Sequence, residues 1–433
     1  MHICYVADAR SPIAKNWISY FVARNHQVTV LSSYPCAPDE IPGARLIEFP
    51  FAFGSLSRMT RSDSNHGTVA RFRKKLLSEL RSRTLLSAFH STRTWIAPLD
   101  VLRRTPAMSA LIDDLKPDIV HAMRLPFEGF IAAAAVKRVP LLLSVWGNDF
   151  TLFADHSRKL AALTNSALQR ADGLHCDCNR DLNLALARGF RRGKPWRVLP
   201  GNGGVQEFFF NSLPDRKLLQ EFCIPENVPL IINPRGFRTY VHSESFFKAI
   251  RLVLQRIPNV FFAATGMLGN PVAERWVRQL NIAGSVRLLP TMSREELASL
   301  FAAARVSVSP SSHDGTPNTL LEALAGGCFP IAGDIESVRE WIVDGENGLL
   351  CRPEDPSALA ACIVRALLDS DLRTQATAAN RKLVRQRAEY QRVMESAEYF
   401  YDEVLVGAHK TRIFPAISCS DCSNSAPAIR KAL

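Results

Sequence analysis

The sequence predicts an α/β protein: two Rossmann-like, doubly wound parallel-sheet domains facing a cleft, with a C-terminal helix packing back on the first domain. Three observations carry this expectation. Short apolar runs alternate with helical periods along most of the chain, the pattern of parallel strands buried on both faces. The alternation stops in a proline-containing stretch, 211–229, and then begins again. A long helical stretch with one apolar stripe follows the second array. At 433 residues the chain is also too long for one ordinary domain.

The first array, 1–210, opens with "HICYVAD", an amphipathic "NWISYFVARN", then "HQVTVLSS" and "RLIEFPF". After a basic insert over 55–110 it continues with "PDIVHAM", a helix in "FEGFIAAAAVKRV", "PLLLSVWG", a helix over 158–170, "ADGLHCDC", another helix and "WRVLPGN". Three prolines and no strand pattern make 211–229 the linker. The second array, 230–385, runs "LIINPRG", "NVFFAATG", "VRLLP", "VSVSPS", "CFPIAG" and "NGLLCRP", with helices between them. In the return helix, 386–407, Tyr390, Val393, Ala397, Phe400 and Val404 recur at helical spacing, and their stripe needs the first domain to cover it. The basic, Ser- and Pro-containing tail 408–433 is expected to be disordered.

Composition narrows the class. Hydrophobic residues at 47% and charged ones at 22% are ordinary for a globular protein. No stretch approaches the roughly 20 apolar residues of a membrane span. The N-terminus enters a strand directly, without the pattern of a signal peptide. Ten cysteines lie without zinc spacing, "CDC" and "CSDC" included, and are expected to be reduced and structural in a cytoplasmic protein. The net charge of +12 is local: Ser55 to Ala110 holds eleven basic residues against three acidic ones. Within it "RFRKKLLSELRSRTLLSAF" reads as an approximate amphipathic helix. It is either a solvated face or a docking element for an anionic membrane surface or a lipid-diphosphate acceptor, peripheral to the inner face of the membrane. No nucleic-acid module accompanies the charge, so nucleic acid is not an expected partner.

Ligands of doubly wound sheets sit beyond the carboxyl ends of the strands. Those ends carry Asp8, Met123, Arg124, the run Gly147-Asn148-Asp149, Gly201 to Gly204, Arg235, Gly266, and Ser311 to Asn318. The last of them opens "HDGTPNTLLEALAGG". Thr316 is expected to cap the helix and Pro317 to take its first position. The N–H groups of Asn318 and Thr319, with the helix dipole, then suit a diphosphate. Gly315 lets a ligand approach the backbone. Asp314 precedes the turn, placed for sugar hydroxyls, and Glu322 follows Asn318 by one helical turn, placed for a ribose. Alone, this spacing also fits a turn followed by a solvated pair.

The motif "DGTPNTLLEALAGG" resembles the signature of the retaining glycosyltransferases of the GT-B fold, family 4, with Asp314 in the first acidic position. The resemblance continues through "PIAGDIESVREWIVDGENGLLCRPEDPSALA", "LPGNGGVQEFF" and "HICYVADARSPIAKNWISYF", omitting 55–110 and the tail. It implies a UDP- or GDP-linked hexose as donor substrate, a glycan or lipid-linked acceptor, and no cofactor or metal. Glu322 would bind the ribose. Asp314 and the backbone from Gly315 through Thr316 and Pro317 to Asn318 would hold the sugar and diphosphate, near Gly266, and the base would lie by Thr291 and Met292. Arg235 matches the family's diphosphate arginine. No Lys stands at the usual second position, and Arg238 substitutes for it. Trp146 replaces a customary His, leaving Asp149 as the first domain's catalytic contribution, beside Asn148. His121 could contact sugar or acceptor, or serve as a buried core histidine. A nucleotide-sugar-binding protein without catalysis is the alternative; a dinucleotide-dependent dehydrogenase is disfavoured, because "CYVADARSPIAKNW" lacks a G-x-G-x-x-G turn.

Overall fold

The computed structural model describes residues 1–52 and 83–413. Seven parallel strands form the first sheet: β1 (His2–Ala7), β2 (Gln27–Ser32), β3 (Arg45–Glu48), β4 (Ile119–Ala122), β5 (Leu141–Val145), β6 (Gly173–Cys176) and β7 (Trp196–Val198). Their order is β3-β2-β1-β4-β5-β6-β7. The second sheet has six: β8 (Leu230–Asn233), β9 (Phe261–Ala264), β10 (Val286–Leu288), β11 (Val306–Ser309), β12 (Phe329–Gly333) and β13 (Leu349–Cys351). They run in the order β10-β9-β8-β11-β12-β13, again all parallel. Each sheet reverses its strand order once, between β1 and β4 and between β8 and β11, where doubly wound sheets open a crevice.

The apolar runs have the expected physical cause. β4, β5, β8, β9, β11 and β12 are buried along their whole length, covered on both faces by helices. Register is explicit at the centre of the first sheet, where Cys4 faces Thr29 on β2 and Val120 on β4.

Three connections differ from the expected layout. Part of the basic insert is the crossover that carries the chain from edge strand β3 to β4, a helix over Arg83–Leu115. Its Val101, Met108 and Ile112 sit in the first core, while Leu99 and Leu102 are exposed. The amphipathic reading of 71–89 lies mostly outside the described residues, as does the tail beyond 413. The stretch 211–229 contains the helix Arg216–Glu221, and Leu218, Leu219 and Ile224 are buried in the second domain's core. The long C-terminal helical stretch is two helices, Ser370–Arg387 and Tyr390–Ile413. At the break Val205 N–H donates to the Ala388 carbonyl at 2.7 Å, and Tyr390 N–H donates to that of Val205 at 2.9 Å. The chain therefore crosses between domains twice, side by side. Gly204, at φ +97°, permits this, because a Cβ there would lie 2.5 Å from the Ala388 oxygen.

The return helix Tyr390–Ile413 buries Met394, Ala397, Phe400, Tyr401 and Val404 among Ile3, Tyr5, Trp17 and Phe21 of the first domain. Among the described residues no helix is long and apolar enough to cross a membrane, and eight cysteines are free thiols.

Candidate active site between the domains

The helix Asn318–Gly326 begins at the end of β11, with Pro317 as its N-cap residue and no side-chain cap. This corrects the expected capping. Thr316 faces the other domain instead: its hydroxyl donates to the Asp177 carbonyl and accepts from Trp341 Nε1 at 3.1 Å. The first helical N–H groups, Asn318 and Thr319, have no intrahelical acceptor. Leu320, Leu321 and Leu324 anchor the helix in the second core, and Gly327, at φ +92°, ends it.

Two arginines meet the two acids. Arg235 Nη2 lies 2.9 Å from both Asp314 oxygens, and its Nη1 donates to the Thr319 hydroxyl at 3.3 Å. The guanidinium thus spans the mouth of the helix, and its buried Nε has no partner. Arg294 Nη2 donates to Glu322 Oε1 at 3.2 Å, and its Nη1 to Asn16 Oδ1 of the first domain at 3.0 Å. Its charge also lies over the rings of Phe208 and Phe209. Burial pushes the Glu322 carboxyl up to about 7, with Arg294 and then Arg235 opposing the shift.

The other expected residues divide into two groups. Gly266, at φ +64°, faces Gly236, and Thr291 Oγ1 lies 4.0 Å from the position of a Gly266 Cβ. Thr291 is exposed and Met292 half-buried, so these residues edge an open slot. Arg238 is exposed and donates to the Tyr240 hydroxyl at 2.9 Å. On the first domain Asp149 is buried and accepts from the N–H groups of Leu125 and Trp146 and from Arg124 Nε, at 3.0 to 3.2 Å. Those bonds tie its own turn to the loop after β4, while burial raises its carboxyl above the usual range. The neighbouring Asn148 Oδ1 and Trp146 Nε1 are buried without a hydrogen-bond partner. His121 is fully buried in a chain of hydrogen bonds: Tyr401 hydroxyl at Nδ1, Ser144 at Nε2, then His175 and the Leu199 carbonyl. It is a core histidine joining β4 to the return helix. Burial holds it well below its ordinary pKa and His175 at about 4.

Sequence reasoning missed Arg294, Asp177, Arg180 and Glu340. One signal was present: Arg180 and Arg294 both stand in the first turn of a helix, where the dipole disfavours a cation. Such a local conflict marks a residue kept for contacts elsewhere. Asp177, Cys178 and Asp181 also bring ligand-type atoms within 4.8 Å of one another, though Arg180 already pairs with Asp181.

Residues 11–201 match the Glycosyl transferase 4-like domain, and residues 215–383 match Glycosyl transferases group 1. Each of the two domains therefore matches a glycosyltransferase domain model. Its similarity to a phosphatidyl-myo-inositol mannosyltransferase of Mycolicibacterium smegmatis is 27% identity over 338 residues, 70% of this chain and 82% of that one. An O-antigen chain mannosyltransferase B of Escherichia coli is 34% identical over 36% of this chain and 43% of its own. A D-inositol 3-phosphate glycosyltransferase of Corynebacterium urealyticum is 34% identical over 23% of this chain and 24% of its own. The chain thus spans less than half the length of these last two. A sucrose-phosphate synthase from Thermosynechococcus elongatus has the same fold, with TM-score 0.69 and 16% identity over 94% of this chain and 99% of that chain. So does Anabaena HepE, solved with UDP-glucose, with TM-score 0.65 and 14% identity over 92% and 100% of the two chains. The architecture is GT-B.

Proposed function

We propose that this glycosyltransferase moves a hexose from a UDP- or GDP-linked donor to a glycan or lipid-linked acceptor, with retention of configuration. One observation carries the reading: the open amide end of the helix Asn318–Gly326 lies between two acids, each matched to an arginine. The free amides and Arg235 suit the diphosphate and stabilise the charge that develops as it leaves. In this reading no metal is required for departure, and Arg235 with the helix start supplies the positive field. Glu322 accepts the ribose hydroxyls when Arg294 releases it, and Asp314 orients the transferred sugar. The slot at Gly236, Gly266 and Thr291 takes the base. The similar structure solved with UDP-glucose supports a nucleotide-sugar donor, and the relatives named as O-antigen chain and phosphatidyl-myo-inositol mannosyltransferases support a glycan or lipid-linked acceptor.

A panel of nucleotide sugars screened by thermal shift and by transfer assay tests this, because a ligand stabilises the folded state in proportion to its occupancy. Glu322→Ala is expected to weaken every nucleotide response, whichever sugar is attached. Asp314→Ala is expected to impair sugar-dependent turnover while free nucleotide still binds. Unchanged transfer kinetics in the Asp314 variant would contradict the division of roles.

We also propose a membrane-facing acceptor side. The crossover helix exposes Leu99 and Leu102 beside Arg103 and Arg104, and the segment before it carries most of the basic excess. Sedimentation with anionic and neutral vesicles measures it. Binding is expected to anionic vesicles alone, and equal binding to both would end this part of the proposal.

A further inference from the structure

Five residues of the first domain, "DCNRD" at 177–181, grip the loop that carries Asp314. Arg180 is the centre of the grip. Its Nη1 donates to the Asp314 carbonyl at 2.8 Å and its Nη2 to the Gly147 carbonyl at 2.7 Å. One guanidinium thereby ties a loop of each domain. Both its Nε and Nη2 also bond Asp181 Oδ1, at 2.9 and 2.7 Å, which fixes the plane of the fork.

Asp177 completes the contact. Its carbonyl accepts from the Thr316 hydroxyl, and its carboxylate accepts from Gly147 N–H at 3.3 Å. A Cβ on Gly315 would fall 2.3 Å from either Asp177 oxygen, and one on Gly147 would fall 1.7 Å from the Gly315 nitrogen. Only glycine permits either approach. From the opposite side Glu340 of the second domain accepts from Asn179 N–H at 2.9 Å, from Asn179 Nδ2 at 2.7 Å and from Arg180 N–H at 3.2 Å. A carboxylate of one domain therefore holds the helix start of the other, in the favourable sense of the dipole. Burial, and after it Asp181, push the Asp177 carboxyl well above its ordinary range, and one of its buried oxygens has no hydrogen-bond partner.

Three successive residues of the loop thus meet the first domain: the carbonyl of Asp314, which also accepts from the Ser337 hydroxyl of its own domain at 2.6 Å, the α-carbon of Gly315 and the hydroxyl of Thr316. We infer that Arg180 is a positioning residue and that 177–181 is a template on which the Asp314–Thr316 loop takes its productive form only when the domains close. This rests on the reading of that loop as the holder of sugar and diphosphate. Binding of the nucleotide by Glu322 and the helix amides does not need the template, whereas alignment of the sugar does.

The test compares Arg180→Met, Arg180→Lys and Glu340→Ala in the full chain. UDP and GDP affinity is measured by calorimetry, kcat with the donor found active, and radius of gyration by small-angle scattering. For Arg180→Met the expected result is nucleotide affinity within about threefold of wild type with kcat lowered about 100-fold, the scale of a misplaced reacting group. Arg180→Lys keeps one of the two carbonyl contacts and should recover part of that loss. Glu340→Ala, remote from the sugar, should lower kcat in the same direction and expand the molecule; it decides the matter if Arg180→Met does not fold. Wild-type kcat in both Arg180→Met and Glu340→Ala overturns the inference. If the wild type turns over no nucleotide sugar, the proposed function fails, and scattering still judges the template: an unchanged radius in both variants overturns it.

Discussion

Glu322 is an acid kept from water, with its pKa raised from 4.5 to about 7 chiefly by burial. The folded chain holds this proton more tightly than the unfolded one. Its stabilising contribution is therefore complete below pH 4.5 and disappears as pH rises through about 7. His121 and His175 act in the opposite sense, because burial depresses both: their contribution is present above the ordinary 6.5 and is lost as pH falls, through about 4 for His175. Glu322→Gln stays neutral throughout, so its melting temperature relative to wild type should rise as pH goes from 4.5 to about 7. Parallel curves for the two proteins would show that the carboxyl titrates normally. Asp314 and Glu322 were picked out by their spacing around a Gly-Thr-Pro turn only together with the resemblance of the whole motif to a known signature. Arg294 was not, because its partners Glu322 and Asn16 are 28 and 278 residues away.

The helix Asn318–Gly326 shows what an element owes to its neighbours. Its apolar face and glycine stop follow from local sequence, and the strands were legible for the same reason: full burial writes a run of apolar residues. The start of the helix was not legible. Thr316 has the right chemistry for a cap, yet its hydroxyl satisfies the Asp177 carbonyl across the seam and the Trp341 indole N–H of its own domain. Thr316→Val should therefore leave helix content unchanged in circular dichroism. It should still destabilise the protein by about 1–3 kcal/mol in denaturant titration, since two buried polar groups lose their partner. A purely local cap would instead give a loss of helical signal. Asp149 shows the same dependence in the first domain: besides the Trp146 N–H of its own turn it accepts from the Leu125 N–H and from Arg124 Nε of the loop after β4.

At the scale of the whole molecule, the return helix makes the first domain depend on the last part of the chain. Tyr401 bonds His121, receives Trp17 Nε1 at 3.1 Å and lies 3.2 Å from the Tyr5 hydroxyl, all in the fully buried centre. Tyr401→Phe keeps the ring and removes these bonds, so a loss of about 1–3 kcal/mol is expected in urea unfolding. Absence of any loss would mean that the network reorganises around the missing oxygen. The stripe on this helix was visible in the sequence, but the hydrogen-bonding role of Tyr401 was not, since its partners His121, Trp17 and Tyr5 are 280 to 396 residues away. The paired backbone at Val205 and Ala388–Tyr390 has a mechanical consequence. Two adjacent segments tied by a pair of main-chain bonds resist sliding past one another, so any relative movement of the domains is confined to swinging about that line, as about an axle. A lobe confined in this way meets the same seat each time it closes, which the transfer proposed above requires if its donor is to arrive in one orientation.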